Sequence, residues 1–134
     1  VTMSRGNIDP TFDACKLVEA AGASFVARET MLDPKKLERT LVKAFEHKGF
    51  SFIEVFSNCH VNLGRKNKMA TAMANLEWID SISMAKSKFE KLEPEEQKGI
   101  FPTGILKQDT EALEYCEAYD KVKEAHKNKT MVQL

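Results

Sequence analysis

Six consecutive residues, Ser57-Asn58-Cys59-His60-Val61-Asn62, set a thiol beside an imidazole and two carboxamides. A thiolate is both a soft-metal ligand and a nucleophile, so Cys59 is the first residue to weigh. Side chains of neighbouring residues in extended backbone point to opposite sides. That geometry disfavours one metal held by both Cys59 and His60, and it disfavours a Cys-His nucleophile pair. Three readings of Cys59 stay open: a ligand acting with residues from elsewhere, a thiol of low pKa, or a small apolar filler.

The other candidates are weaker. Cys15 and Cys116 fall in helical stretches and read as structural. With three well-separated cysteines and no Cys-x-x-Cys, the chain cannot by itself supply a four-cysteine metal site. The odd count also opposes a disulfide framework and fits a reducing cytoplasm. His47 suits the end of a helix, where positive charge meets the dipole, and His126 reads as solvated. Gly64-Arg65-Lys66-Asn67-Lys68 combines a flexible glycine with three cations; such a run binds anions or is a solvated loop, and the second reading is favoured. There is no Gly-x-Gly-x-x-Gly and no phosphate-binding loop motif. No pair of acids stands out as general acid and base.

Composition excludes several classes. Lys plus Arg number 20 and Asp plus Glu 20, leaving none of the basic surplus that nucleic acid requires. No apolar run reaches membrane-spanning length, and no polybasic segment suits an anionic membrane. Val1-Thr2-Met3-Ser4-Arg5-Gly6 has no apolar core of a secretory signal. It does not open with Met and gives no start to a first element, the expectation for a fragment.

The candidate loop has to be positioned by its neighbours. Asp9-Pro10 reads as a helix start, with Ala14, Leu17, Val18 and Ala21 on one face and Gly22 at the end. Ser24–Arg28 follows as a short buried strand. Asp33-Pro34 starts a second helix with Leu37, Leu41, Ala44 and Phe45 as its apolar stripe, closed at Gly49. Phe50–Phe56 is a strand apolar enough to be covered on both faces. Strand, helix, strand at this spacing is a βαβ unit of a parallel sheet with a right-handed crossover. Ile100–Lys107 is a possible further strand, weakened by Pro102 and Gly104. Ser57–Lys68 reads as a polar loop, Met69–Leu92 as one long helix, Glu93-Pro94-Glu95-Glu96 as its end and the opening of a turn or a short helix, and Thr110–Lys127 as the last helix. In open parallel sheets ligands gather beyond the carboxyl ends of the strands. Glu29-Thr30-Met31-Leu32 and the Cys59 loop both lie there.

The order of blocks adds a resemblance. Gly6-Asn7-Ile8-Asp9-Pro10 and Ala20-Ala21-Gly22-Ala23-Ser24-Phe25-Val26-Ala27-Arg28 are followed by His47-Lys48-Gly49-Phe50-Ser51-Phe52-Ile53-Glu54-Val55. Then come Ser57-Asn58-Cys59, Gly64-Arg65-Lys66-Asn67-Lys68-Met69 and Glu114-Tyr115-Cys116-Glu117-Ala118-Tyr119. Together they resemble the C-terminal part of the beta subunit of 2-oxoacid:ferredoxin oxidoreductases, most closely the 2-oxoglutarate:acceptor type. The resemblance implies an α/β fold: residues 1–58 as the C-terminal part of a thiamine-diphosphate-binding domain, and 59–134 as a helical extension. It implies conversion of a 2-oxoacid and coenzyme A to an acyl-CoA and carbon dioxide, with thiamine diphosphate as electron sink and iron–sulfur clusters delivering electrons to ferredoxin. It also implies partner subunits. The family's Gly-Asp-Gly-Asp motif, its downstream Asn for diphosphate and Mg2+, and its N-terminal Cys-x-x-Cys are not in this sequence, so the chain alone is expected to be inactive. One position carries over. Cys59 is similar to the family cysteine that serves as fourth ligand of a [4Fe–4S] cluster, although His60 stands where that loop usually has Pro. The helical extension, with Trp78, Tyr115 and Tyr119, reads as a docking surface for the partner subunits, although aromatic residues at helical spacing more often form core. The rival class is a non-enzymatic interaction module whose α/β unit and long helices only bind a partner.

Overall fold

The computed structural model describes Ile8 and residues 11–127. The Asp9-Pro10 helix start lies outside them. The first helix, α1 (Ala14–Ala20), begins instead at Asp13, whose carboxylate accepts from the Lys16 N–H. Gly22 follows it with φ 98°, the left-handed conformation that ends helices. Strand β1 (Phe25–Thr30) is buried at every position. Helix α2 (Pro34–Glu46) starts as its sequence requires, with Asp33 accepting from the Lys36 N–H and Pro34 at the first helical position. Strand β2 (Ser51–Phe56) pairs parallel to β1 from Phe25↔Ser51 to Thr30↔Phe56.

Helices α1 and α2 cover opposite faces of this pair. Cys15, Ala23 and Val26 form a core with Val18, Phe52 and Leu106 on one face. On the other, Thr40 of α2 donates to the buried Glu29 carboxylate at 2.7 Å, and the His47 ring stands 5.4 Å from Phe25. Two expectations need correction here. Leu41 and Phe45 point outward, Phe45 with 87% of its surface exposed, while Thr40 takes the buried position. Nor is β2 covered on both faces: it is the edge strand and only half-buried, the doubly covered position falling to β1.

The rest of the chain completes a four-stranded sheet of order β2-β1-β4-β3. The stretch 69–92 is not one helix. It divides into α3 (Ala72–Ile82), β3 (Ser83–Ala85) and α4 (Lys86–Phe89). Ser81 and Ser83 turn their hydroxyls back onto the carbonyls of Trp78 and Ile79, a local competition that weakens helix. Tertiary pairing does the rest, because Ser83–Ala85 runs parallel to β4 from Ser83↔Phe101 to Ala85↔Thr103. Strand β4 (Phe101–Gln108) forms despite Pro102 and Gly104, and it pairs antiparallel to β1. That ladder ends at Arg28↔Gly104, so Pro102 lies beyond it and its missing N–H costs β1 nothing. The last helix, α5 (Tyr115–Lys127), starts five residues after Thr110, where the Glu114 carboxylate accepts from the N–H groups of Cys116 and Glu117.

Candidate functional site

Two loops meet at the carboxyl ends of β1 and β2. The Met31 N–H donates to the Phe56 carbonyl, and the Met31 sulfur accepts from the Asn58 N–H at 3.2 Å. These bonds set the start of the Cys59 loop against the end of β1. From Cys59 the chain enters a π-helical turn, His60–Gly64, closed by the Gly64 N–H donating to the Cys59 carbonyl at 2.9 Å. The Cys59 side chain is exposed. The backbone N–H groups of Leu63 and Asn62 face its sulfur and hold the thiol below its ordinary range. A surface thiol whose ionisation is eased by amide donors has the chemistry of a soft-metal ligand. His60 is not its partner; Nδ1 lies 3.5 Å from the Asn58 side-chain nitrogen. The Cys-His pairing that adjacency disfavours is not formed.

The turn is anchored by close packing. Gly64 is buried, and a β-carbon there would lie 2.1 Å from the Met69 carbonyl oxygen. The buried Asn75 amide donates to the carbonyls of Met69 and Thr71. Arg65, Lys66 and Lys68 face solvent, the solvated-loop reading. Beside the loop, Val55, Phe56, Trp78, Ile79, Ile82 and Phe101 border an apolar cavity of about 580 Å3. Trp78 therefore faces this cavity, while Tyr115 and Tyr119 stack on one another at the surface of α5.

A second cluster, not singled out from sequence, lies under α1. Arg28 is 1% exposed, donating from Nε to Glu54 at 2.6 Å and from Nη2 to Asp13 at 2.5 Å. Its guanidinium lies over Phe56 and Phe101. Burial acts against its charge, but the two carboxylates outweigh it and its pKa is raised. Cys15 joins the cluster, its sulfur 3.5 Å from a Glu54 oxygen, and burial pushes its thiol up to about 12. Asp13, Cys15 and Glu54 are close enough to share a metal ion. The guanidinium already supplies the positive charge between the two carboxylates, and the thiol is held protonated. The set is structural, as Cys15 was expected to be. Cys116, also expected to be structural, is instead exposed, with the Glu114 carboxylate raising its thiol. His47 stands at the C-cap position of α2, but its ring is turned to the sheet, with Nε2 2.9 Å from the Ser24 hydroxyl and the ring against Phe25. His126 is solvent-exposed. The sequence signal for the Arg28 cluster is slight: Arg28 follows the apolar run Phe25-Val26-Ala27, and Glu54 interrupts a second one.

The βαβ unit, without the Cys59 loop that follows it, lies almost wholly within the residues that match a known family model. Residues 1–55 match the family model described as thiamine pyrophosphate enzyme, C-terminal TPP binding domain. The chain is homologous to the 2-oxoglutarate synthase subunit KorB of three archaea. It is 39% identical over 77% of its length to that of Methanothermobacter thermautotrophicus, covering 36% of that protein. It is 35% identical over 95% of its length to that of Methanocaldococcus jannaschii, covering 47%. It is 30% identical over 91% to that of Archaeoglobus fulgidus, covering 42%. The chain thus spans less than half the length of these relatives. Its fold is similar to a solved 2-oxoglutarate:ferredoxin oxidoreductase from Magnetococcus marinus, described with 2-oxoglutarate, coenzyme A and succinyl-CoA bound. The TM-score is 0.64 at 16% identity, covering all of this chain and 45% of that one.

Proposed function

We propose that this chain is part of a beta subunit that oxidatively decarboxylates a 2-oxoacid, 2-oxoglutarate foremost, to its acyl-CoA and carbon dioxide, with electrons leaving to ferredoxin. The subunit works in the cytoplasm beside partner subunits. The observation that carries the reading is the exposed Cys59 thiol, its pKa lowered by backbone amides, at the carboxyl end of β2 in a chain related to KorB. That donor chemistry fits a [4Fe–4S] cluster, for which Cys59 is one ligand and cysteines from outside this sequence are the others. When bound, the cluster carries single electrons. The chain's own part is to hold the sulfur at the surface, with the amides of Leu63 and Asn62 favouring its thiolate. Residues 1–58 form the cofactor-domain part and 59–134 an extension that also lends β3 and β4 to the sheet.

Thiamine diphosphate and Mg2+ belong to the intact subunit. The Gly-Asp-Gly-Asp motif that holds them is not in this sequence. The chain alone is expected to show no 2-oxoglutarate-dependent reduction of an electron acceptor. Measured turnover by the isolated chain would overturn that expectation.

The deciding experiment is visible absorbance and low-temperature EPR of the anaerobically purified complex containing this chain, beside its Cys59→Ser variant. A reducible cluster signal that the substitution weakens or alters is the expected result. A colourless complex, or a cluster unchanged in the variant, removes the assignment of Cys59.

A further inference from the structure

The cations of α2 gather beside a cavity that the Cys59 site does not use. Lys36, Arg39 and Lys43 recur at i, i+3 and i+7, so they share one face of the helix. That face borders a groove of about 320 Å3 whose other wall is Gly104 and Ile105 of β4. The floor is polar and buried: Glu29 at the carboxyl end of β1 is 2% exposed, and Thr40 is 5%. Thr103 lies beside it, its hydroxyl 3.4 Å from the Lys36 Nζ.

The charges do not balance. Among the described residues Glu29 is the one acid lining the groove, and it is already engaged, with Lys36 Nζ at 3.0 Å and the Thr40 hydroxyl at 2.7 Å. Arg39 and Lys43 have no carboxylate partner among the described residues. Three cations against one carboxylate leave a net charge of +2, in a chain whose formal net charge is zero. The opposite wall adds no acid. At Gly104, φ is 114°, a conformation that side-chain-bearing residues rarely adopt, so the wall stays bare opposite the cations. The groove runs along the face of the sheet between α2 and β4, with Gly104 and Ile105 paired to Arg28 and Ala27 of β1. A walled cleft lined by one sign of charge concentrates counter-ions. A guanidinium fork flanked by two ammonium groups suits the oxygens of phosphate groups.

We propose that the groove between α2 and β4 is a binding site for a small phosphate-bearing ligand, held by Lys36, Arg39 and Lys43. The site is independent of Cys59 and of the oxidoreductase reading. The spread of three cations over two helical turns favours a diphosphate over a single phosphate.

Titration calorimetry of the 134-residue chain with sodium pyrophosphate, and separately with orthophosphate, tests this. Pyrophosphate is expected to bind saturably and more tightly than orthophosphate. The double variant R39Q/K43Q should weaken binding by roughly tenfold or more, the loss of charge-assisted contacts. Both side chains are exposed and unbonded, so the fold should survive. K35Q, on the same helix but away from the groove, should leave affinity within about twofold. Amide shifts on addition of pyrophosphate should centre on Thr40, Gly104 and Ile105. No saturable heat overturns the proposal. So do an equal loss in K35Q, shifts centred elsewhere, or stronger binding of an acidic peptide or duplex DNA than of pyrophosphate.

Discussion

The three cysteines occupy three electrostatic environments. Cys59 faces amide donors that lower its pKa, Cys116 faces the Glu114 carboxylate that raises it, and Cys15 is raised to about 12 by burial. A depressed pKa means that the amide-bonded thiolate persists below the ordinary thiol value and is lost only as pH falls through the lowered one. Iodoacetamide should therefore label Cys59 with a midpoint below that of Cys116, with Cys15 protected in the folded chain. Coincident midpoints for Cys59 and Cys116, read by peptide mass spectrometry, would refute the contrast. Cys15 has the opposite sign. Its protonated form contributes fully below the ordinary value of 9.0, and that contribution is lost as pH rises toward about 12. Cys15→Ala should flatten the alkaline loss of stability in urea titrations; a variant as alkali-sensitive as the parent would count against the assignment. Arg28 is the residue whose loss should cost most. Removing a buried ion partner typically costs about 3–5 kcal/mol, and Arg28→Met leaves Asp13 and Glu54 without their cation. Urea unfolding of this variant should show a loss near the lower bound, since both carboxylates keep some solvent, and Arg28→Met/Glu54→Gln should recover part of it.

Among the elements, the helix starts follow local rules and the turn after Cys59 follows packing. Gly64→Ala puts a β-carbon 2.1 Å from the Met69 oxygen and 2.7 Å from the Asn75 amide, neither of which can retreat easily. The turn should open, and the Cys59 labelling midpoint should rise toward the ordinary thiol range as the amides of Leu63 and Asn62 move off. An unshifted midpoint in a folded G64A chain would separate the thiol from the turn. Gly49 is the comparable joint between α2 and β2. Its φ is 100°, and a β-carbon would meet the Ser24 hydroxyl at 2.5 Å. Gly49→Ala should destabilise the chain by about 1–3 kcal/mol from the strained backbone conformation. Thermal unfolding equal to that of the parent would contradict this.

At the scale of the molecule, the sheet joins a parallel pair to two strands drawn from the second half of the chain. No helix among the described residues is long and apolar enough to cross a membrane. Much of the first half was legible in sequence. Asp33-Pro34, Gly22 and Gly49 impose their conformations through nearest neighbours, so the βαβ unit and the place of the Cys59 loop could be read without partners. The second half was not legible in that way. Trp78, Ile82, Ala85 and Phe89 keep helical spacing across a segment that is interrupted by β3, because pairing with β4 outweighs periodicity. Pro102 and Gly104 argue against a strand locally, and both are accommodated where the ladder with β1 ends. Residue types alone determined that Cys59 is a candidate ligand at the carboxyl end of a parallel strand. Tertiary structure alone decided that amides favour its thiolate, that Arg28 joins Asp13 to Glu54, and that three cations of α2 face a bare wall of β4. The first depends on a local turn held by packing of Gly64 against Met69 and Asn75, and the other two on distances between segments far apart in the chain, which spacing along a sequence does not carry.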